Sequence, residues 1–492
     1  MWLTQLLERN RQCWPDRLAL VDERRRVTWS QLHDRVLELA RGLAELGVER
    51  GDRVAVLSRD RVEVLETYFA LARLGALFVP LNHSLAVPEI AGIIERVGAV
   101  AVLGEADLLE RHPELPAPGR IRMALDQPAF EALGSLAAGR ELPAVADTDP
   151  VAVLHTSATT GQAKGVTVDS ASFRAIALGW LVMARPTEDI VMVNCCPLYH
   201  GSMVVSLTYL AAGATVVLMP GFTPQRALAA VEEHRATHMW LVPQMLRFML
   251  RAKGAGRADL SSLREVLYGA APMPLDVYAE AVERLGCGFR QVYGMTEVGG
   301  PFVTLGPDEH PAPGDVTARI PCGRVVPGMS ARAVDAAGRE LPRGETGEII
   351  VRGPGLMQGY WNDPEATREI LLDGWVRTGD LGFVDDAGRI HLVDRSKDLI
   401  IRAGQNVYPS EIERALMSHP AVRDAAVVGM PDEDYGEVPL AYVVAGPDTT
   451  AADLLAHVGR LLAPYKRPRR VEFIEQVPRN PAGKIVKKLL RA

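Results

Sequence analysis

Cysteine is scarce in this 492-residue chain. The five present (Cys13, Cys195, Cys196, Cys287, Cys322) are odd in number and scattered. They form no CxxC pair and no His-spaced set, which excludes a disulfide framework and a zinc-finger site and points to a reducing, cytoplasmic setting. Long apolar runs are missing too: no stretch approaches the roughly eighteen uninterrupted apolar residues of a spanning helix. The N-terminus, "MWLTQLLERNRQCWPDR", carries a charge by its eighth residue. It lacks both an apolar core and a small-residue cleavage site, so it does not read as a signal peptide. There is no excess of positive charge. With 54 Lys and Arg against 61 Asp and Glu, the net charge of -7 offers no electrostatic footprint for a nucleic acid. No internal repeat or low-complexity tract is present.

What remains is an ordinary globular balance, 48% apolar and 23% charged. The length exceeds the ~250–300 residues at which one hydrophobic core stops growing, so at least two domains are expected. Short apolar runs alternate with helical patterns. Leu32, Val36, Leu39, Leu43 and Leu46 keep helical spacing after Ser30, a candidate cap, and Gly47 stands where a helix end favours a left-handed residue. "RVAVLS", "ALFVPL", "AVAVLG", "PVAVLH", "DIVMVN", "ATVVLM", "THMWLV" and "REVLYG" read as buried strands. Most are separated by enough chain for a helix, which predicts parallel sheets with crossover helices. After about residue 310 Pro and Gly become dense. Strand-turn units follow, such as "GFVDDAGRIHLVD", whose Asp-Ala-Gly-Arg tip suits a hairpin. The expected fold is α/β: a large N-terminal domain over residues 1–395, with two α/β subdomains and a β-rich lobe, and a small mobile α+β domain over residues 396–492.

"HTSATTGQAKGV", residues 155–166, follows the apolar run Val151-Ala152-Val153-Leu154. Amides of a Gly-rich turn and several hydroxyls donate to phosphate oxygens, and Lys164 adds a mobile cation, so the stretch reads as a triphosphate grip. It is not the GxxxxGK[ST] loop, because Gly161 lies only three residues before Lys164. Four further stretches follow in order: "YGAAPMP" (268–274), "YGMTEVGG" (293–300), "WVRTGDLG" (375–382) and "DRSKDLIIRAGQNVYPSEIE" (394–413), and "PRNPAGKI" closes the chain.

With these motifs the chain closely resembles, over essentially its whole length, the adenylate-forming superfamily of acyl- and aryl-CoA synthetases, firefly luciferase and peptide-synthetase adenylation domains. The resemblance implies that Thr156, Ser157, Thr159, Thr160, Gly161 and Lys164 hold the β- and γ-phosphates of ATP. It implies that Thr296 bonds the α-phosphate and that Glu297 coordinates Mg2+, a hard ion suited to a carboxylate oxygen. Gly269, Ala270 and Ala271 match the adenine-binding segment, Tyr293 the aromatic stacked on it, with Gly294 beside it, and Asp380 and Arg395 the ribose contacts. Lys484 matches the lysine bridging the α-phosphate and the substrate carboxylate, lowering repulsion between two anions. Lys397 matches the hinge and Gly404 the pantetheine tunnel used after the small domain rotates.

The implied reaction has two halves: a carboxylic acid and ATP give acyl-AMP and pyrophosphate, then a thiol takes the acyl group and AMP leaves. No carrier segment with a modifiable serine follows Lys484, so coenzyme A is the expected thiol. The alternatives are a stand-alone enzyme loading an acyl carrier protein, and a luciferase-like or catalytically silent relative. The phosphate loop departs from the family pattern at Ala158, in place of a glycine, and at Ala163, in place of a proline. The doubled glycine of "TEVGGPF" shifts the correspondences beyond Val298 by up to one position. "PLYHGSMVV" (197–205) matches the segment shaping the acid pocket, with His200 as its gate and Ser202, Met203 and Gly299 as lining. No Asp, Arg or Lys lies between Asn194 and Tyr209. The expected substrate is therefore an acid with an uncharged tail, fatty or aromatic.

Overall fold

The computed structural model describes residues 1–115, 121–137, 139–156, 163–199, 201–315, 319–403, 405–479 and 485–490. The chain packs as two compact units, Met1–Ser330 with Arg352–Val376, and Ala331–Val351 with Arg377–Ala492. The division expected at residue 396 thus lies inside the second unit.

All eight apolar runs are strands of the first unit, and each has a parallel neighbour. They fall into two sheets. The seven-stranded sheet runs in the order Gly359–Tyr360, Gly165–Asp169, Pro150–His155, Leu77–Leu81, Arg53–Leu57, Ala101–Gly104, Ile121–Ala124. The nine-stranded sheet runs Arg324–Val325, Gly300–Leu305, Gly288–Met295, Glu265–Gly269, His238–Leu241, Val191–Asn194, Thr215–Leu218, Leu18–Val21, Arg26–Thr28. Continuous apolar sequence suits a strand covered on both faces. In the first sheet Ala55, Leu57, Val79 and Val153 pack under Ile90, Ile93, Ile94 and Val97 of the helix Val87–Val97. In the second, Val193, Val217, Met239, Leu241 and Val266 meet the helices Pro224–His234, Pro243–Leu250 and Leu275–Leu285 through Val231, Leu246 and Val277.

Two local features differ from the sequence reading. The helix Trp29–Glu45 is capped by Thr28, not Ser30: the Thr28 hydroxyl accepts from the Gln31 amide (3.3 Å) and the Gln31 side chain accepts from the Thr28 amide (2.9 Å). Thr28 has extended backbone, so Ser30 already lies in the first turn. Gly47 is left-handed just past the helix, with φ 94°. The chain start, unassigned from sequence, is a helix, Trp2–Cys13, followed by the hairpin that forms one edge of the nine-stranded sheet. The buried Asn10 side chain holds this helix by donating to the Leu210 carbonyl at 2.7 Å.

The hairpin read from "GFVDDAGRIHLVD" is present in the second unit. Trp375–Val384 pairs antiparallel with Ile390–Arg395, and the tip is closed by the Asp385 amide on the Arg389 carbonyl (2.9 Å) with Gly388 at φ 76°. The C-terminal segment forms a five-stranded sheet of Gln405–Val407, Ile400–Arg402, Gly436–Ala445, Val422–Asp432 and Arg470–Phe473. The helices Pro409–Met417 and Ala451–Leu461 pack on it through Ile412, Leu416, Leu454 and Val458.

Gly213 is the tightest joint of the N-terminal helix. It has φ 85°, and a Cβ there would lie 2.2 Å from the Trp14 ring. Gly213→Ala is expected to cost about 2–3 kcal/mol, combining left-handed strain of about 1 kcal/mol with overpacking. Gly47→Ala, where nothing lies within 4 Å, should cost only about 1 kcal/mol. Urea midpoints compare the two, and equal shifts would remove the Trp14 contact from the account.

Candidate active site

The strand Pro150–His155 turns back antiparallel into Gly165–Asp169, and the mouth of the loop between them is closed by the Thr156 amide donating to the Lys164 carbonyl at 3.1 Å. Ser157, Thr159, Thr160 and Gly161, with Ala158, lie outside the described residues. His155, just before the mouth, is half-buried, and desolvation of its ring with the charge of Arg96 lowers its pKa to about 4. It is a neutral imidazole at neutral pH.

Lys164 does not point into solvent alone. Its Nζ stands 4.9 Å from the centre of the Tyr360 ring, and the Tyr360 hydroxyl donates to Oε1 of Glu297 at 2.9 Å. Burial and Glu297 together push the Tyr360 phenol up, so it stays a donor. Tyr360 is set by the segment 353–361, which is stitched to both neighbours. Tyr360 pairs with Val166, the Trp361 amide donates to the Gly165 carbonyl (2.7 Å), and the Met357 amide donates to the Glu297 carbonyl (2.9 Å). The sequence reading missed Tyr360. The signal available was its place in "GYWNDPEAT", an aromatic pair between a glycine and an Asn-Asp-Pro helix start capped by Asp363.

Thr296 and Glu297 form a short 3-10 turn at the end of the strand Gly288–Met295, with Glu297 buried and Gly299 closing it at φ 65°. The adjacent parallel strand ends at Gly269, level with Val292. A Cβ on Gly269 would lie 2.5 Å from the Val292 carbonyl, so only glycine fits. Ala270 follows at φ 64°, an uncommon conformation for alanine, and Ala270 and Ala271 are exposed. Tyr293 packs its ring against Phe302, with centroids 5.1 Å apart, and Gly294 is exposed beside it. The strand ends therefore bring the residues 269–271 and 293–297 together at the C-terminal edge of a largely parallel sheet, where open α/β sheets bind ligands.

The doubled glycine has a packing reason. A Cβ on Gly299 would meet the Gly355 carbonyl at 2.7 Å, and one on Gly300 (φ 130°) would meet Val204 at 2.8 Å. Val204 belongs to the helix Ser202–Ala211, so the expected acid-pocket residues Ser202, Met203 and Gly299 share one neighbourhood. Ser202 and Met203 are buried, and the Ser202 hydroxyl donates to the Pro197 carbonyl. His200 lies outside the described residues.

In the second unit, Asp380 and Arg395 are cross-strand partners, and Arg395 Nε lies 2.6 Å from Asp380 Oδ1. Asp380 is only 5% exposed, so this is a half-buried pair rather than a solvated one. Lys397 is exposed in the 3-10 turn Ser396–Asp398. Gly404 and Lys484 lie outside the described residues. The flanks of Lys484 are tied down: Arg479 bridges to Ile485, the Val486 amide donates to the Pro478 carbonyl (2.9 Å), and Lys487 pairs with Glu413 at 2.8 Å.

Comparison with known proteins agrees with this layout. The family model for AMP-binding enzymes matches residues 7–361, and that for the AMP-binding enzyme C-terminal domain matches residues 411–484. A fatty acid–[acyl-carrier-protein] ligase, ScoC, of Streptomyces coeruleorubidus is 36% identical over 99% of this chain and 96% of its own length. A feruloyl-CoA synthase of an Amycolatopsis species is 38% identical over 94% of this chain and 92% of its own. The o-succinylbenzoate CoA synthetase (MenE) of Bacillus subtilis, solved in complex with the acyl-adenylate intermediate OSB-AMP, superposes with a TM-score of 0.89 at 30% identity, covering 99% of this chain and 98% of that one. A family model covering residues 7–361, and relatives at 36–38% identity along almost the full length of the chain, place this protein in the AMP-binding enzyme family.

Proposed function

We propose that this protein is an AMP-forming carboxylic acid:CoA ligase for a fatty or aromatic monocarboxylic acid. The observation that carries the reading is the Lys164–Tyr360–Glu297 arrangement, which sets a cation and a hard oxygen ligand at the mouth of a hydroxyl-rich loop. In the first half-reaction a substrate carboxylate oxygen attacks the α-phosphorus of ATP in line, and the bond to the β-phosphate breaks to release pyrophosphate. Lys164 and the hydroxyls of the loop grip the departing phosphates. Thr296 orients the α-phosphate, and Lys484 neutralises the two anions that must meet. In the second half the thiol sulfur attacks the acyl carbon, its proton passes to solvent, and AMP leaves with the oxygen. Gly404 leaves room for the pantetheine arm.

Mg2+ fits Glu297. One oxygen of this buried carboxylate accepts from Tyr360, and the described residues contain no cluster of three or more metal-ligating side chains. One protein carboxylate shared with substrate phosphates is a usual magnesium arrangement. Bound there, the ion would neutralise phosphate charge.

The uncharged, buried start of the helix Ser202–Ala211 favours an uncharged acid tail. A second acceptor, an acyl carrier protein, is favoured by the likeness to the carrier-protein ligase. The soluble-enzyme reading with a cytoplasmic setting, and a functional division of the chain at residues 395/396, belong to the same proposal. Among the described residues no helix is long and apolar enough to cross a membrane.

Purified protein given ATP, Mg2+, CoA and a panel of acids should release AMP and pyrophosphate and consume free thiol. Acid-dependent pyrophosphate exchange with thiol left untouched would move the acceptor to a carrier protein, and absence of acid-dependent exchange with every acid would sink the reading.

Lys484→Ala should lower acyl-AMP formation by about 10²–10³-fold, while thioester formation from supplied acyl-AMP survives. Gly404→Leu should do the reverse. Equal loss in both half-reactions for either variant would separate that residue from its assigned role.

Tyr360→Phe keeps the ring under Lys164 but removes the donor to Glu297. It should slow pyrophosphate exchange by about 10-fold or more, the worth of a hydrogen bond to a charged group, and raise the Mg2+ concentration needed for half activity. An unchanged magnesium titration would show that Tyr360 does not position Glu297.

A further inference from the structure

The turn that leads into the helix Ser202–Ala211 is held by its own Asn194 and by backbone and side-chain groups from elsewhere in the first unit. Asn194 Oδ1 accepts from the Cys196 amide (3.1 Å), the Cys195 amide donates to the Trp240 carbonyl (3.0 Å), and the Tyr199 ring stands edge-on to His83 at 5.8 Å. Pro197 brings no N–H. The next amide, that of Leu198, donates to Oδ1 of Asp60 at 2.9 Å, a bond spanning 138 residues of sequence. Asp60 is 5% exposed and sits just after the strand Arg53–Leu57. It borders a small cavity lined also by Val56, Ser58, Phe78, Leu198 and Tyr199.

We propose that Asp60 is a positioning residue for acid binding: its carboxyl fixes the turn from Cys195 to Tyr199 and, through it, the start of the helix that carries Ser202 and Met203. The inference rests on the reading of that helix as acid-pocket wall. A carboxyl here is costly unless something needs its acceptor, and among the described residues the one amide bonded to it belongs to that turn.

The surroundings decide which protonation state does the holding. Burial raises the Asp60 pKa to about 8, against the pull of the Leu198 amide, and the charge of Glu105 adds to the rise. Glu105 is itself paired with Arg59 (2.9 Å) and Arg61 (3.8 Å). On the turn, Cys196 and Tyr199 have pKa values pushed up by burial and by Asp60, Tyr199 to about 12. His83 is held down by burial and Arg59. No cation is bonded to Asp60 itself among the described contacts. At neutral pH the carboxyl is therefore mostly neutral, and it ionises as pH passes about 8. Because the folded pKa lies above the unfolded value of about 4, the group's contribution to stability is full at low pH. That contribution is lost as pH rises to about 8 and changes no further above it.

Asp60→Asn keeps shape and acceptor and cannot ionise, whereas Asp60→Leu removes the acceptor. Once ionised, the carboxylate is driven toward water and off the Leu198 amide by its burial and by the charge of Glu105, so the wild-type KM for the acid should rise by about threefold or more between pH 7 and 9. In Asp60→Asn that rise should be absent. In Asp60→Leu the acid KM should be about tenfold higher at every pH, from loss of the buried hydrogen bond, with the KM for ATP unchanged in both variants. Melting temperatures should favour Asp60→Asn over wild type increasingly from about pH 5 to 8 and then level. Parallel acid-KM profiles for wild type and Asp60→Asn, or an Asp60→Leu variant indistinguishable from Asp60→Asn, would overturn the proposal. A wild type inactive with all acids would instead sink the ligase reading, and the melting difference between wild type and Asp60→Asn would still decide whether the carboxyl anchors the fold.

Discussion

One short crossing aligns the two halves of the candidate site in the first unit. Residues 353–361 leave the nine-stranded sheet's neighbourhood at Glu297, through the Met357 amide, and end paired beside Val166 and Gly165 on the edge of the seven-stranded sheet. Each sheet has its own core. The segment between them is what gives the loop lysine and the buried glutamate a common reference, because Tyr360 touches both. A cation near an aromatic face contributes about 0.5–2 kcal/mol and a charged hydrogen bond about 1.5–3 kcal/mol. These energies are small beside the packing of either sheet, yet they fix side chains that sequence separates by more than 130 residues.

The sheets themselves were plain in the sequence. Runs such as Val54-Ala55-Val56-Leu57 and Val151-Ala152-Val153-Leu154 carry no polar residue to face water, so they had to be central strands. The N-terminal helix was harder to see, because its apolar positions Leu3, Leu6 and Leu7 are few and its anchor is a buried asparagine rather than a hydrophobic stripe. The cap at Thr28 was displaced by two residues from the expected Ser30 because both are good caps and only backbone geometry distinguishes them.

The candidate site was legible where a motif is local. Gly269, Ala270, Tyr293, Thr296 and Glu297 lie near the ends of adjacent strands, so reading each motif in order was nearly enough to bring them together. Tyr360 and Asp60 were not legible, since each works on a partner 63 or 138 residues away and neither sits in a run with chemical punctuation of its own. Physical spacing also accounts for the doubled glycine: Gly299 and Gly300 look like a departure in sequence, but each faces an obstacle, a carbonyl in one case and Val204 in the other.

The strand order has a consequence for how the chain is made. Leu18–Val21 pairs with Thr215–Leu218, and Gly165–Asp169 pairs with Gly359–Tyr360. On a ribosome adding residues from the N-terminus, the first hairpin waits through nearly two hundred residues of synthesis for its parallel neighbour, and the strand beside Lys164 keeps an open edge for about as long again. Such an edge is a template for wrong pairing until it is covered. The tyrosine that stands against Lys164 therefore arrives with the same few residues that seal the sheet, so completion of the sheet and assembly of this part of the candidate site coincide in time.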